Sequence, residues 1–100
     1  MKFAVADDVL LARKAVEKLI LEWDRDSTIC CSCDNGDEVL KVLEEQNMDV
    51  LVADIRMPGL NGIALSEVVR QRFPSVDVVL VSGYATFDYA RAALHNGARD

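Results

Sequence analysis

Hydrophobic residues fall into two alternating kinds of segment along this chain. Short continuous apolar runs are typical of strands that are buried on both faces of a parallel sheet. Longer segments repeat their apolar residues at steps of three and four, which is typical of amphipathic helices. The runs predict strands at 3–6, 28–33, 50–54 and 76–81, and the periodic segments predict helices at 9–23, 37–46, 63–73 and 87–94.

This alternation of strand and helix predicts an α/β fold, in which right-handed crossovers join parallel strands and helices cover both faces of the sheet. One hundred residues suffice for one such domain. The chain ends after a predicted helix, where the pattern calls for a further strand. We therefore expect either more residues beyond Asp100 in the full protein, or an association such as a homodimer that covers the edge of the fourth strand.

Acidic residues outnumber basic ones by 17 to 11, which gives a formal net charge of -6. A domain with this balance repels nucleic acid and anionic membranes, so DNA binding would require a separate domain. No apolar stretch is long enough for a membrane span, and the N-terminus lacks the layout of a secretion signal. We therefore expect a cytoplasmic protein.

The cysteines and the single histidine offer little chemistry in this pattern. Cys30, Cys31 and Cys33 are crowded into one predicted strand, where adjacent residues point to opposite faces, and no second ligand pair follows at zinc spacing. We expect them to be small, reduced core or edge residues in a reducing compartment. His95, just before a helix-ending Asn-Gly pair, is expected to be a solvated residue rather than a phosphocarrier.

Oxygen-bearing side chains follow three of the predicted strands. Asp7 and Asp8 follow the first strand, Asp54 ends the third, and Ser82 follows the fourth. If the first and third strands are neighbours, these residues converge at the carboxyl edge of the sheet, where open α/β sheets bind their ligands. Clustered carboxylates repel one another unless a cation joins them, and Mg²⁺ suits a site with a few carboxylates and several waters.

Such a site predicts phosphoryl transfer to a carboxylate. Mg²⁺ would neutralise an incoming phosphoryl group while the Asp54 carboxylate attacks phosphorus in line, giving an acyl phosphate. Each acid alone has a simpler explanation, in which Asp8 caps the following helix and the others merely end their strands. Three strand ends that carry such groups favour the phosphoryl-transfer interpretation.

Three segments resemble the signature motifs of receiver domains of two-component response regulators. They are 5–8, with the acid pair, 52–62, with the pattern Asp-x-x-Met-Pro-Gly-x-x-Gly, and 81–84, with Ser82. The resemblance covers nearly the whole chain, in the right order and spacing. It implies a flavodoxin-like, doubly wound parallel sheet of strand order 2-1-3-4-5, whose fifth strand and fifth helix are missing from this sequence.

The resemblance also implies a role for each residue of the cluster. Asp54 would accept a phosphoryl group from a histidine kinase or phosphotransfer protein, and the domain would catalyse this transfer itself. Asp8 would bind Mg²⁺ directly and Asp7 mainly through water, with the backbone carbonyl of Arg56 as a further ligand. Ser82 would supply the switch hydroxyl that bonds the phosphoryl oxygens.

Residues near the end of the chain bear on the output of such a switch. The segment 83–93 resembles regulators that carry a DNA-binding output domain. The resemblance implies that phosphorylation alters the surface of the fourth helix and thereby controls transcription through that separate domain. The family's phosphate-binding lysine and switch aromatic would lie beyond Asp100.

Two other functions remain open from the sequence. A receiver-like scaffold that binds partners without phosphorylation would have the same fold, although the intact set of acids argues against it. A phosphatase with an aspartyl nucleophile would need a general acid two residues after Asp54, where this chain has Arg56.

Overall fold

Seven elements make up the part of the chain that the computed structural model describes, residues 1–81. The strands are β1 (Lys2–Ala6), β2 (Thr28–Cys33), β3 (Val50–Asp54) and β4 (Asp77–Val81), and the helices are α1 (Leu10–Trp23), α2 (Gly36–Glu45) and α3 (Gly62–Arg72). These confirm four predicted strands and three predicted helices, with ends that differ by no more than one residue. None of these helices is long and apolar enough to cross a membrane. Ser82 and the predicted fourth helix lie outside the described residues.

The sheet is parallel throughout and has the strand order β2-β1-β3-β4. β1 and β3 are neighbours, with Phe3 opposite Val50 and Ala6 opposite Ala53. This order agrees with the first four strands of the predicted flavodoxin-like sheet. It places the carboxyl ends of β1 and β3 side by side at the centre of the sheet, which is the position that open α/β folds use for ligands.

Helices cover both faces of the sheet, which explains why the strands are apolar at consecutive positions. On one face, Phe3 and Val5 of β1 pack in a cluster with Val16 and Ile20 of α1. On the other face, a larger cluster surrounds the alanines of β1 and includes buried side chains of α2 and α3, such as Leu65. Full burial of an aliphatic or aromatic side chain contributes roughly 1.5–3 kcal/mol. The two clusters therefore hold the strand ends, and the residues that follow them, in fixed positions.

The start of α1 does not support the simpler explanation in which Asp8 caps this helix. The N-cap position is Val9, which makes no side-chain cap. Asp7 instead accepts a hydrogen bond from the Val9 N–H through Oδ1 at 2.9 Å, because an aspartate side chain readily bonds the backbone two residues further on. By contrast, α2 and α3 begin with capping side chains, those of Asn35 and Asn61.

The cysteines of β2 also differ from the prediction of three reduced residues. Cys31 and Cys33 form a disulfide, and Cys30 is free. The prediction was wrong because alternation along a strand separates neighbouring residues but brings residues two apart to the same face. The two Cα atoms lie 5.9 Å apart, within the range that a disulfide spans. These residues therefore give no support to a reducing compartment.

Candidate functional site

Three carboxylates meet where β1 and β3 end. One carboxylate oxygen from each of Asp7, Asp8 and Asp54 lies within 4.8 Å of the others. The parallel pairing of Ala6 with Ala53 sets Asp7 beside Asp54, and Asp8 completes the group. The structure thus brings together three of the predicted site residues at the carboxyl edge of the sheet.

The turn after β3 holds the backbone of Asp54 tightly. Gly62, the first residue of α3, lies so close that an added Cβ would overlap the Asp54 carbonyl and lie 2.8 Å from the Ile55 Cα. The Gly62 N–H also donates to the Ile55 carbonyl at 3.0 Å. Earlier in the turn, Gly59 has a φ of +71°, a left-handed conformation that favours glycine. The N-terminus of α3 therefore packs directly against the end of β3.

The Asp54 side chain is nearly buried, with 9% of its residue surface exposed. Its Oδ1 accepts a hydrogen bond from the Arg56 N–H at 3.2 Å. The next residue, Ile55, donates its N–H to the Val81 carbonyl of β4 at 2.8 Å. These contacts fix both the strand end and the direction of the carboxylate that it carries.

Asp7 is the most buried acid of the three, with 5% of its surface exposed. Burial raises the pKa of Asp7 above its ordinary value, and the negative charges of Asp54 and Asp8 raise it further, whereas the hydrogen bond from Val9 opposes this rise. Within residues 1–81, no lysine or arginine forms an ion pair with any of the three acids. The cluster therefore favours a cation, which would offset the repulsion.

An open groove gives access to this cluster. Asp8 is exposed and lies at the groove, so it can be reached from solvent. The remaining lining comes from the turn after β3 and the start of α3, namely Ile55, Arg56, Met57, Pro58, Asn61 and Ile63. Arg56 thus lies close to the acids, and the role of its carbonyl as a ligand stays a prediction. The role of Ser82 also stays a prediction.

The donor set of the cluster fits Mg²⁺. All three side chains offer carboxylate oxygens, which are the ligands that this ion prefers. The cluster contains neither the thiolates nor the imidazoles that select zinc or copper. The exposure of Asp8 leaves room for waters, which Mg²⁺ retains and which phosphate oxygens can replace.

Arg13 of α1 also contacts this region. Its Nη1 donates to the backbone carbonyl of Asp7 at 2.7 Å. Helical side chains point back toward the N-terminus of their helix, so a long side chain early in α1 can reach the end of the preceding strand. That direction makes the contact possible, but the sequence does not show which group Arg13 bonds.

Known sequences resemble this chain. The family model of the response regulator receiver domain matches residues 3–100. The DNA-binding transcriptional regulator NtrC of Escherichia coli (strain K12) is 41% identical over 71 residues, which are 71% of this chain and 15% of NtrC. The sensory transduction protein LytT of Oceanobacillus iheyensis is 34% identical over 96 residues, which are 96% of this chain and 39% of LytT. The chain therefore spans well under half the length of these curated relatives.

Solved structures share the fold. The response regulatory domain of mrkE from Klebsiella pneumoniae superimposes with a TM-score of 0.76 at 26% identity, over 95% of this chain and 77% of that one. The signal receiver domain of NarL from Mycobacterium tuberculosis gives a TM-score of 0.73 at 28% identity, over 97% of this chain and 77% of that one. The sheet order, the acid cluster and the family match agree. The chain belongs to the family of response regulator receiver domains of two-component systems.

Proposed function

We propose that this receiver domain is a phosphorylation switch, in which Asp54 accepts a phosphoryl group from a histidine kinase or phosphotransfer protein in the presence of Mg²⁺. The observation that carries the proposal is the meeting of Asp7, Asp8 and Asp54 at one edge of the sheet. Receiver domains generally bind Mg²⁺ at an acidic pocket. The oxygen donors of this cluster suit that ion.

Asp54 acts as the nucleophile in this proposal. Its carboxylate, directed by the hydrogen bond from the Arg56 N–H, forms an oxygen–phosphorus bond while the bond from phosphorus to the donor's imidazole nitrogen breaks. The electron pair of the broken bond returns to that imidazole, which takes a proton from solvent. The product is an acyl phosphate on Asp54.

The other site residues hold the ion and the product. Mg²⁺ bound here would neutralise the phosphoryl oxygens and the gathered carboxylates. Asp8, which is exposed, is suited to direct binding, and Asp7, which is buried, to binding through water. The Arg56 carbonyl would be a further ligand, and the Ser82 hydroxyl would bond the phosphoryl oxygens after transfer. The roles of Arg56 and Ser82 rest on the sequence motifs.

An exposed apolar surface beside the acids supports a protein as the phosphodonor. Leu10 and Leu11 in the first turn of α1 are 54% and 82% exposed, and Ile63 at the start of α3 is 51% exposed. Leu10 and Leu11 closely follow Asp8, so a partner whose phosphohistidine reaches Asp54 would cover this surface.

Leu11→Asp should therefore slow transfer from the cognate protein donor by about tenfold, because it places a charge in the apolar contact. Transfer from acetyl phosphate should stay unchanged, since this small donor needs no such surface. Equal slowing with both donors would contradict a docking role for Leu11.

The proposed output of the switch, control of a DNA-binding domain, is based on the relatives of this chain. NtrC is a DNA-binding transcriptional regulator. By extension, phosphorylation of Asp54 would change the surface of the predicted fourth helix and so control a separate DNA-binding domain. The net charge of -6 is consistent with DNA contacts being made elsewhere in the full protein.

The primary test is incubation of the full chain with Mg²⁺ and acetyl phosphate, followed by intact-mass analysis. The wild type should gain the mass of one phosphoryl group, and Asp54→Asn should gain none. The matched control is Asp26→Asn, which makes the same change in the connection before β2, at the opposite end of the sheet, and should behave as the wild type. A wild type that gains no adduct, or an Asp54→Asn variant that gains the same one, would contradict the proposal.

A further inference from the structure

We infer that Arg13 is a positioning residue for the two acids that follow β1, an inference that rests on the function proposed above. The Arg13 Nη1 donates to the Asp7 carbonyl at 2.7 Å, and its Nε donates to the Ser32 Oγ at 2.9 Å. The Ser32 hydroxyl donates in turn to the Glu17 Oε2 at 2.6 Å. One side chain of α1 thereby connects the end of β1 to β2.

The contact falls on the peptide unit that joins Asp7 to Asp8. Because a peptide unit is planar and rigid, fixing the direction of the Asp7 carbonyl also fixes the direction of the Asp8 N–H. The Asp7 N–H is already held, since it donates to the Cys33 carbonyl of β2 at 3.0 Å. Arg13 restrains the carbonyl on the other side of Asp7. Because that carbonyl belongs to the peptide unit that leads to Asp8, the contact also limits where the Asp8 side chain can lie.

The shape of the arginine side chain suits this task. A guanidinium group presents Nε and Nη1 in a fixed relation, so Arg13 can bond Asp7 and Ser32 together, whereas a lysine offers one flexible ammonium. Glu17 lies one helical turn after Arg13 and holds the Ser32 hydroxyl in place. The bond from Arg13 to Asp7 is partly buried, so solvent screens it less than an exposed contact.

Arg13 acts on the arrangement of the ligands and not as their counter-charge. Within residues 1–81, it forms no ion pair with Asp7, Asp8 or Asp54. Groups that orient metal ligands commonly change metal affinity by about 10- to 100-fold when they are removed. A single bond to the backbone belongs at the lower end of that range, so loss of Arg13 should weaken Mg²⁺ binding by about tenfold.

Calorimetric titration of the full chain with Mg²⁺ tests this inference. Arg13→Gln should bind Mg²⁺ about tenfold more weakly than the wild type, and Arg13→Lys and Ser32→Ala should each bind roughly threefold more weakly, because each leaves part of the connection. Lys14→Gln removes the same charge from the next residue of α1, and it should bind Mg²⁺ as the wild type does. Each variant is titrated at a temperature where circular dichroism shows it fully folded.

Carbonyl and amide NMR resonances supply a second readout that general destabilisation would not move. In the metal-free protein, Arg13→Gln should shift the Asp7 carbonyl and Asp8 amide resonances, and Lys14→Gln should not. An Arg13→Gln variant that binds Mg²⁺ as tightly as Lys14→Gln, or that leaves the Asp7 carbonyl resonance in place, would contradict the inference. A wild type without saturable Mg²⁺ binding would contradict the proposed function, and this inference with it.

Discussion

Acidic residues have different surroundings at the two ends of the sheet. At the amino end, the Asp49 carboxylate accepts a hydrogen bond from the Lys2 N–H at 2.7 Å, and the Asp49 N–H donates to the Lys2 carbonyl at 2.8 Å. At the carboxyl end, one carboxylate oxygen from each of Asp7, Asp8 and Asp54 lies within 4.8 Å of the others, and no lysine or arginine of residues 1–81 forms an ion pair with these acids. One end joins β1 to the segment before β3, and the other gathers like charges.

This difference fits the cation site proposed at the carboxyl end, whereas the contacts at the amino end contribute to stability. A typical hydrogen bond contributes on the order of 1 kcal/mol to folding. Gathered carboxylates oppose folding, because each disfavours the charged form of its neighbours. The hydrophobic clusters on both faces of the sheet offset that cost. Replacing an acidic residue should therefore change stability in opposite directions at the two ends.

Gly62→Ala should be the most damaging change at the carboxyl end. The added Cβ would overlap the Asp54 carbonyl, so the backbone must shift and the free energy of unfolding should fall by about 2–4 kcal/mol. Gly59→Ala is the matched control, because its Cβ meets only an ordinary contact with Asp37 and the left-handed conformation costs about 1 kcal/mol. Urea denaturation measures both changes. Equal losses would show that α3 does not press on the end of β3.

Much of the fold could be predicted from the sequence, because each apolar run is long enough to mark one buried strand and each periodic segment one helix. The finer contacts could not be predicted in the same way. Asp7 and Asp8 both suit a helix start, and only the backbone geometry shows that the Asp7 oxygen reaches the Val9 N–H. The pairing of Cys31 with Cys33 likewise depends on the distance between two residues on one face of β2.

The candidate site, like the fold, could be predicted from the sequence only in part. The meeting of Asp7, Asp8 and Asp54 could be predicted, since acids at the ends of neighbouring parallel strands must lie close together. The contact of Arg13 with the Asp7 carbonyl could not, because it depends on a side-chain rotamer and on how α1 packs across β2. The close approach of Gly62 to β3 could not be predicted either, because it depends on the packing of α3.

Bound Mg²⁺ should offset part of the destabilisation that the gathered carboxylates cause at the carboxyl end. A ligand that binds only the folded state stabilises it by about 2.7 kcal/mol at a hundredfold excess over its Kd. Urea denaturation with and without Mg²⁺ should show such a gain for the wild type and for Asp26→Asn. Asp8→Asn should lose most of the gain, because the exposed ligand is removed. An Asp8→Asn protein that gains as much as the wild type would contradict the assignment of Asp8 as a ligand.

Replacing one acid at each end in metal-free solution should give smaller effects of opposite sign. Asp7→Asn removes a buried charge while its oxygen can still accept the Val9 N–H, so it should stabilise the protein by about 1 kcal/mol. Asp49→Asn weakens an exposed hydrogen bond with Lys2, so it should destabilise the protein by no more than about 0.5 kcal/mol. Urea denaturation in the presence of a chelator measures both values.

The acids at the two ends of the sheet should also contribute differently to the pH dependence of stability. Burial and the neighbouring carboxylates raise the pKa of Asp7 in the folded protein above the ordinary value of 3.8. The folded state thus holds this proton more tightly than the unfolded chain. The resulting stability is complete below the unfolded pKa and is lost as pH rises through the folded pKa. Asp7→Asn should remove this part of the decline, whereas Asp49→Asn should leave it in place. If the stabilities of wild type and Asp7→Asn changed in parallel from acid to neutral pH, the pKa of Asp7 would be the same in the folded and the unfolded protein. The two ends of the sheet would then not differ as described.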